Sequence, residues 1–112
     1  MDKVSNNRKV VTKYLNDWIA YHPSEQTGVP LQIIEGNDGH LLLVEFGHGK
    51  NGWEYGVFVH FLIGATGNVT LLENNTDQEV FRELKEAGID EKDLVIGWYP
   101  PELQEHSGTR AA

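Results

Sequence analysis

Trp53-Glu54-Tyr55-Gly56-Val57-Phe58-Val59-His60-Phe61-Leu62-Ile63 is the stretch on which the fold turns. Its odd positions Trp53, Tyr55, Val57, Val59, Phe61 and Ile63 are all apolar, and residues two apart share one face of a strand, so this face reads as core. The even positions Glu54, Gly56, Phe58, His60 and Leu62 are mixed. Phe58 and Leu62 are too apolar for a fully solvated face, which implies a cover there too, either a second helix or another subunit.

Working outward, Leu31–Glu35, Leu41–Phe46 and Asn68–Glu73 have the same branched and aromatic character. Gly36-Asn37-Asp38-Gly39, Gly47-His48-Gly49-Lys50-Asn51-Gly52 and Gly64-Ala65-Thr66-Gly67 separate them, and these residues tolerate the positive φ of hairpin turns. Short turns make neighbours antiparallel, so the four segments form a four-stranded antiparallel β-meander.

Helical patterns flank the meander. From Val4 to Tyr21, Val4, Val11, Leu15, Trp18 and Ile19, with Tyr14 beside them, recur at helical spacing, while Arg8, Lys9, Lys13, Asn16 and Asp17 fill the opposite face. Pro23 stops this amphipathic helix near His22, and Ser24 to Gly28 reads as a polar connection. Thr76-Asp77-Gln78-Glu79 has the form of a capping box, predicting a helix from Asp77, with Val80, Phe81, Leu84 and Ala87 as its apolar stripe and Gly88 closing it. Leu94-Val95-Ile96 reads as a short buried extended piece, and Pro100-Pro101 stops any continuation. Residues 102–112 are mostly polar and read as a loosely ordered tail. The fold class is α+β: an N-terminal amphipathic helix, a four-stranded meander, a C-terminal helix and a short extended tail, in a single domain over residues 1–112.

The composition supports one domain. A chain of 12.6 kDa can bury ~66% of its surface on folding, which suffices for one core. With no cysteine there is no disulfide framework, thiolate metal site or cysteine nucleophile. Neither a membrane span nor a secretory signal is legible, so a cytoplasmic location is the expectation. The formal charge is −8, with acids crowded between Glu73 and Glu105, whereas Lys3, Arg8, Lys9 and Lys13 face only Asp2 at the amino end. So acidic a chain grips DNA poorly by itself, and only the first helix offers a basic face.

Chemical motifs are sparse. His22, His40, His48, His60 and His106 include no pair at the i, i+4 spacing of a helical zinc site. His60, a polar ring in an apolar strand, needs a partner and reads as a hydrogen-bonded structural histidine, while His40 and His48 sit in or beside turns. Glu45 and Glu54 can approach across the second and third strands, but strand acids beside a glycine-rich hairpin usually face solvent. Gly47 to Gly52 joins two strands rather than opening a helix, so it reads as a hairpin turn and not a phosphate loop. Trp98-Tyr99-Pro100-Pro101 reads either as Trp98 packed in the core or as an exposed anchor for a partner.

Tyr55-Gly56, His60, the Gly67-to-Glu73 strand, Thr76-Asp77, Glu83-Leu84, Ala87-Gly88-Ile89, Lys92-Asp93-Leu94-Val95-Ile96-Gly97-Trp98 and Pro101, taken in order, resemble the XisI family, the cyanobacterial fdxN element excision controlling factor. The resemblance runs over nearly the whole chain, and Gly88-Ile89 with Lys92 to Trp98 is its most distinctive part. It implies a small α+β protein that works with an XisH-type companion and a recombinase in excising a DNA element during heterocyst differentiation. It supplies no catalytic residue. Leu62 and Gln104 depart from the family pattern, which has a polar residue after the strand histidine and a basic one in the tail.

The expected function is that of a non-enzymatic accessory protein acting by protein–protein contact, with Phe58, His60, Leu62, Trp98 and Tyr99 as its interface. The expected partners are a second copy, as a homodimer, and the XisH-type companion, with DNA reached only indirectly. No catalytic residue, cofactor or metal is assigned. One alternative is an excision directionality factor that binds DNA through Lys3, Arg8, Lys9 and Lys13. Another is a small ligand-binding domain using His60 and strand carboxylates.

Overall fold

A computed structural model of the chain describes residues 2–22 and 27–104. The elements run α1 (Lys3–Tyr21), β1 (Leu31–Glu35), β2 (His40–Gly49), β3 (Gly52–Ile63), β4 (Val69–Asn74), α2 (Val80–Glu86), β5 (Leu94–Ile96) and the single turn α3 (Pro101–Gln104). The sheet order is β1-β2-β3-β4-β5. The first four strands form the antiparallel meander, and β5 adds a fifth strand parallel to β4. A parallel neighbour needs a crossover, which α2 supplies.

Both longer helices cover one face of this sheet. Val11, Leu15 and Trp18 of α1 join Leu41, Leu43, Val59, Phe61, Ile63, Val69 and Leu71 of the sheet, Val80, Phe81 and Leu84 of α2, and Leu94 and Ile96 of β5 in one core. Asp2 caps α1 by accepting from the Ser5 amide at 2.8 Å, and the His22 amide closes it on the Trp18 carbonyl. Asn7, a polar residue within the apolar stripe, is buried and donates to the Gly67 carbonyl at 2.8 Å, which ties α1 to the β3–β4 turn. Asp93, also buried, accepts from Lys3 Nζ at 3.1 Å. Tyr14 donates to Glu83 at 2.6 Å and links α1 to α2.

Three local expectations are corrected. The β2–β3 hairpin is tighter than the Gly47–Gly52 turn: β2 runs through Gly49 and β3 resumes at Gly52, leaving Lys50-Asn51 as a two-residue turn. No capping box forms. Thr76 Oγ1 accepts from the Gln78 amide and donates to Asn74 Oδ1, so the threonine braces a turn, and α2 starts only at Val80 with no side-chain cap. In the tail, residues 102–104 lie in α3, held by Gln104 Nε2 donating to the Gly97 and Tyr99 carbonyls, and the remainder lies outside the described residues.

The largest correction concerns β3 itself. Leu43 pairs with Val59 but Val44 pairs with Val57, so Phe58 is an extra residue in the ladder, a β-bulge. A one-residue slip exchanges the two faces of a strand. Val59, Phe61 and Ile63 therefore stay in the core, while Val57, Tyr55 and Trp53 turn to the opposite face, where Tyr55 is 75% and Trp53 61% exposed. Phe58 moves the other way and packs half-buried against the core.

Candidate functional site

The bulge gives the face opposite the helices its character. Cross-strand partners share a face. The register therefore groups Ile34 with Leu42, Phe46 with Tyr55, His48 with Trp53, Leu42 with His60, His40 with Leu62, and Thr70 with both Leu62 and Val95. A second register shift after His60 leaves Leu72 as the extra residue of β4, against Gly97. Neither α1 nor α2 packs on this face, because both join the core on the other. Ile34, Phe46, Trp53 and Tyr55 are exposed, and Leu42, Leu62, Leu72 and Val95 are half-buried. His48 and Trp53 meet edge-to-face with ring centroids 5.2 Å apart.

At its centre His40 Nδ1 lies 2.9 Å from His60 Nε2. His60 therefore finds the partner its strand position requires, and His40 is half-buried rather than a solvated turn residue. Burial lowers the His60 pKa below its ordinary value, repulsion by His40 lowers it further, and Glu73, its register partner, opposes both. The expected cover by the second helix does not occur, because α2 packs on the helical side with the core.

Of the five expected interface residues, His60 and Leu62 lie together on this open face, whereas Phe58 does not. Trp98 is 53% exposed and Tyr99 packs half-buried against the core, so the packed-tryptophan reading fails and the two aromatics separate. Sequence reasoning missed Phe46, Trp53 and Tyr55 on the open face. Perfect alternation in β3 concealed them, and the one available signal was Phe58 itself, a large apolar residue out of phase.

The basic positions of α1 are largely neutralised in place. Lys3 pairs with Asp93, Arg8 with Glu35 at 3.3 Å and Lys13 with Asp17 at 2.7 Å. The hydrogen bond and charge of Asp17 raise the Lys13 pKa. Lys9 shares a shallow exposed groove with Arg8, Thr12, Lys13 and Asn16. Glu45 stands opposite Gly56 and Glu54 opposite Gly47, so the two carboxylates are not direct cross-strand partners, and Glu45 accepts from Thr27 Oγ1 instead. Among the described residues, no three histidine or carboxylate groups are placed to hold a metal ion. His106 lies outside them. No helix is long and apolar enough to cross a membrane among the described residues.

Comparison with known proteins places the chain. A family model described as XisI protein matches residues 1–109. No curated protein matches. Among solved structures, an XisI-like protein from Anabaena variabilis ATCC 29413 is 24% identical, with a TM-score of 0.78 over 97% of this chain and 99% of that one. The fdxN element excision controlling factor XisI from the same organism is 18% identical, with a TM-score of 0.71 over 96% of each chain. At these identities the likeness to the two structures is one of fold.

Proposed function

This chain belongs to the XisI protein family, and on that footing we propose that it is a non-enzymatic accessory factor in site-specific DNA excision that acts through protein–protein contacts. The observation that carries this reading is the uncovered sheet face bearing Phe46, Trp53, Tyr55, Leu62 and the His40–His60 pair. Aromatic residues are enriched in interfaces, and an apolar patch this continuous on one face marks a contact surface.

A second copy of the chain is the occupant this face fits. Strands of 5, 10, 12, 6 and 3 residues, at about 3.3 Å per residue and 4.8 Å between strands, give a footprint of about 600 Å² before side-chain relief is counted. Specific interfaces bury about 800 Å² of accessible surface per partner, so this footprint is of the order that a small dimer uses. Its charge favours self-pairing too. On a chain of net charge −8, the described residues of this face include one carboxylate, Glu73, beside three histidines, His40, His48 and His60, so two copies meet there with little repulsion.

The XisH-type companion is the partner in the excision role, and DNA is reached through it. The ion pairs of Lys3, Arg8 and Lys13 support that route over direct DNA binding, because phosphate would have to compete with a carboxylate for each of these cations. Mixing the chain with an XisH-type protein and measuring mass by size exclusion tests the reading. Co-elution at micromolar concentration is expected, and its absence contradicts the proposal.

A further inference from the structure

On the helical side of the sheet, past the end of α1, lies a cleft of about 1080 Å³. Trp18, Tyr21 and His22 form one wall, Leu31, Glu45, Gly56 and Phe58 the floor, and residues 75–78 the other wall. The bulge makes this cleft: it turns Phe58 inward and leaves Gly56 opposite Glu45, where an added Cβ meets nothing within 4 Å. Bulges recur beside binding sites because they re-aim side chains in this way.

The lining has a consistent chemistry. Three aromatic side chains, Trp18, Tyr21 and Phe58, and the His22 imidazole, its centroid 5.0 Å from that of Trp18 and its plane tilted by 38°, stand with two carboxylates, Glu45 and Asp77. Among the described residues lining the cleft there is no lysine or arginine. The wall carrying Asp77 is braced before anything binds: Asn75 Nδ2 donates to the Val57 carbonyl at 2.9 Å, the Asn75 amide to the Phe58 carbonyl at 2.8 Å, and Asn74 Nδ2 to the Gln78 carbonyl. Glu45 Oε2 accepts from Thr27 at 3.3 Å, and a carboxylate has capacity for more donors.

We propose that this cleft is a docking site for a basic segment of a protein partner, with an arginine or lysine side chain laid against the Trp18–Tyr21–Phe58 surface and its charge between Glu45 and Asp77. Aromatic faces attract cations, most strongly where water is excluded, and carboxylates add a charge-assisted hydrogen bond. The volume exceeds a single side chain, so a segment of several residues fits better than a small cation. The chain's net charge of −8 draws such a segment in. This inference rests on the protein-contact reading above but concerns the opposite side of the sheet.

The test is titration of the full chain with a hexa-arginine peptide, with a hexa-glutamate peptide as control, read by amide and indole NMR shifts. The account expects saturable shifts at the Trp18 indole and the Gly56 amide, a dissociation constant at least tenfold weaker in the Glu45→Gln/Asp77→Asn double variant, and loss of binding in Gly56→Leu, which fills the floor and leaves both carboxylates. Thermal melts of both variants within a few degrees of wild type show that folding is intact. Binding undiminished in either folded variant, or shifts that bypass Trp18 and Gly56, overturns the proposal. Companion co-elution unaffected by both variants refutes the cleft as its docking site and spares the excision reading, whereas peptide binding without companion co-elution refutes the excision reading and spares the cleft.

Discussion

His40 Nδ1 and His60 Nε2 lie 2.9 Å apart on the uncovered face of the sheet, with ring planes tilted by 46°. One ring must donate and the other accept, so the bond requires at least one neutral imidazole. Protonating both rings replaces it with two facing donors.

That relationship makes stability depend on pH. The folded-state pKa of His60 is lowered by burial and by His40, against the pull of Glu73. The unfolded chain therefore binds more protons near pH 6.5 than the folded one, so stability rises with pH and is complete above the unfolded pKa of about 6.5. Thermal melts are expected to fall as pH drops from 7 toward 5, with a shallower slope in His60→Gln. An equal slope in that variant assigns the dependence elsewhere.

Gly39 adopts φ +92°, and a Cβ there collides with the Ile63 carbonyl oxygen. Gly39→Ala is expected to cost about 3 kcal/mol, combining left-handed strain with displacement of the β3 terminus. Urea unfolding measures it, and a loss below about 1 kcal/mol means that the turn relaxes freely.

Tyr14 binds Glu83 at 2.6 Å between α1 and α2. Burial raises its pKa far above the ordinary phenol value, and the hydrogen bond and charge of Glu83 raise it further. Tyr14→Phe leaves that carboxylate without its donor, so a loss of about 1.5–3 kcal/mol is expected in urea unfolding. A neutral result means that Glu83 re-partners with solvent.

No retardation of duplex DNA is expected in a gel shift at moderate salt. The few cations on α1 fall short of the 6–10 or so phosphate contacts of strong binders, and Lys3, Arg8 and Lys13 hold carboxylates. A salt-sensitive shift abolished by substituting Lys3, Arg8, Lys9 and Lys13 together restores the direct-binding alternative.

The meander and both main helices were legible because glycine-rich turns and helical periodicity are local signals. The position of β5 was not, since pairing with β4 depends on the crossover by α2 and leaves no mark within three residues. The open face was legible only in part. His60 and Leu62 stand out as even positions of β3, but Trp53 and Tyr55 share the parity of Val59 and Phe61, and only the cross-strand register reveals that Phe58 breaks the alternation. Likewise the donor from Asn7 to the Gly67 carbonyl spans sixty residues, beyond any pattern within α1.

The central claim, that the uncovered sheet face is a protein-contact surface that pairs with a second copy, is tested most directly by light scattering across concentration. Wild type is expected to rise from 12.6 kDa toward twice that mass in the micromolar range, while Tyr55→Lys, at an exposed position that does not disturb the core, stays monomeric. A wild-type mass that remains at 12.6 kDa at the highest concentration, or a dimer that Tyr55→Lys leaves intact, contradicts the account.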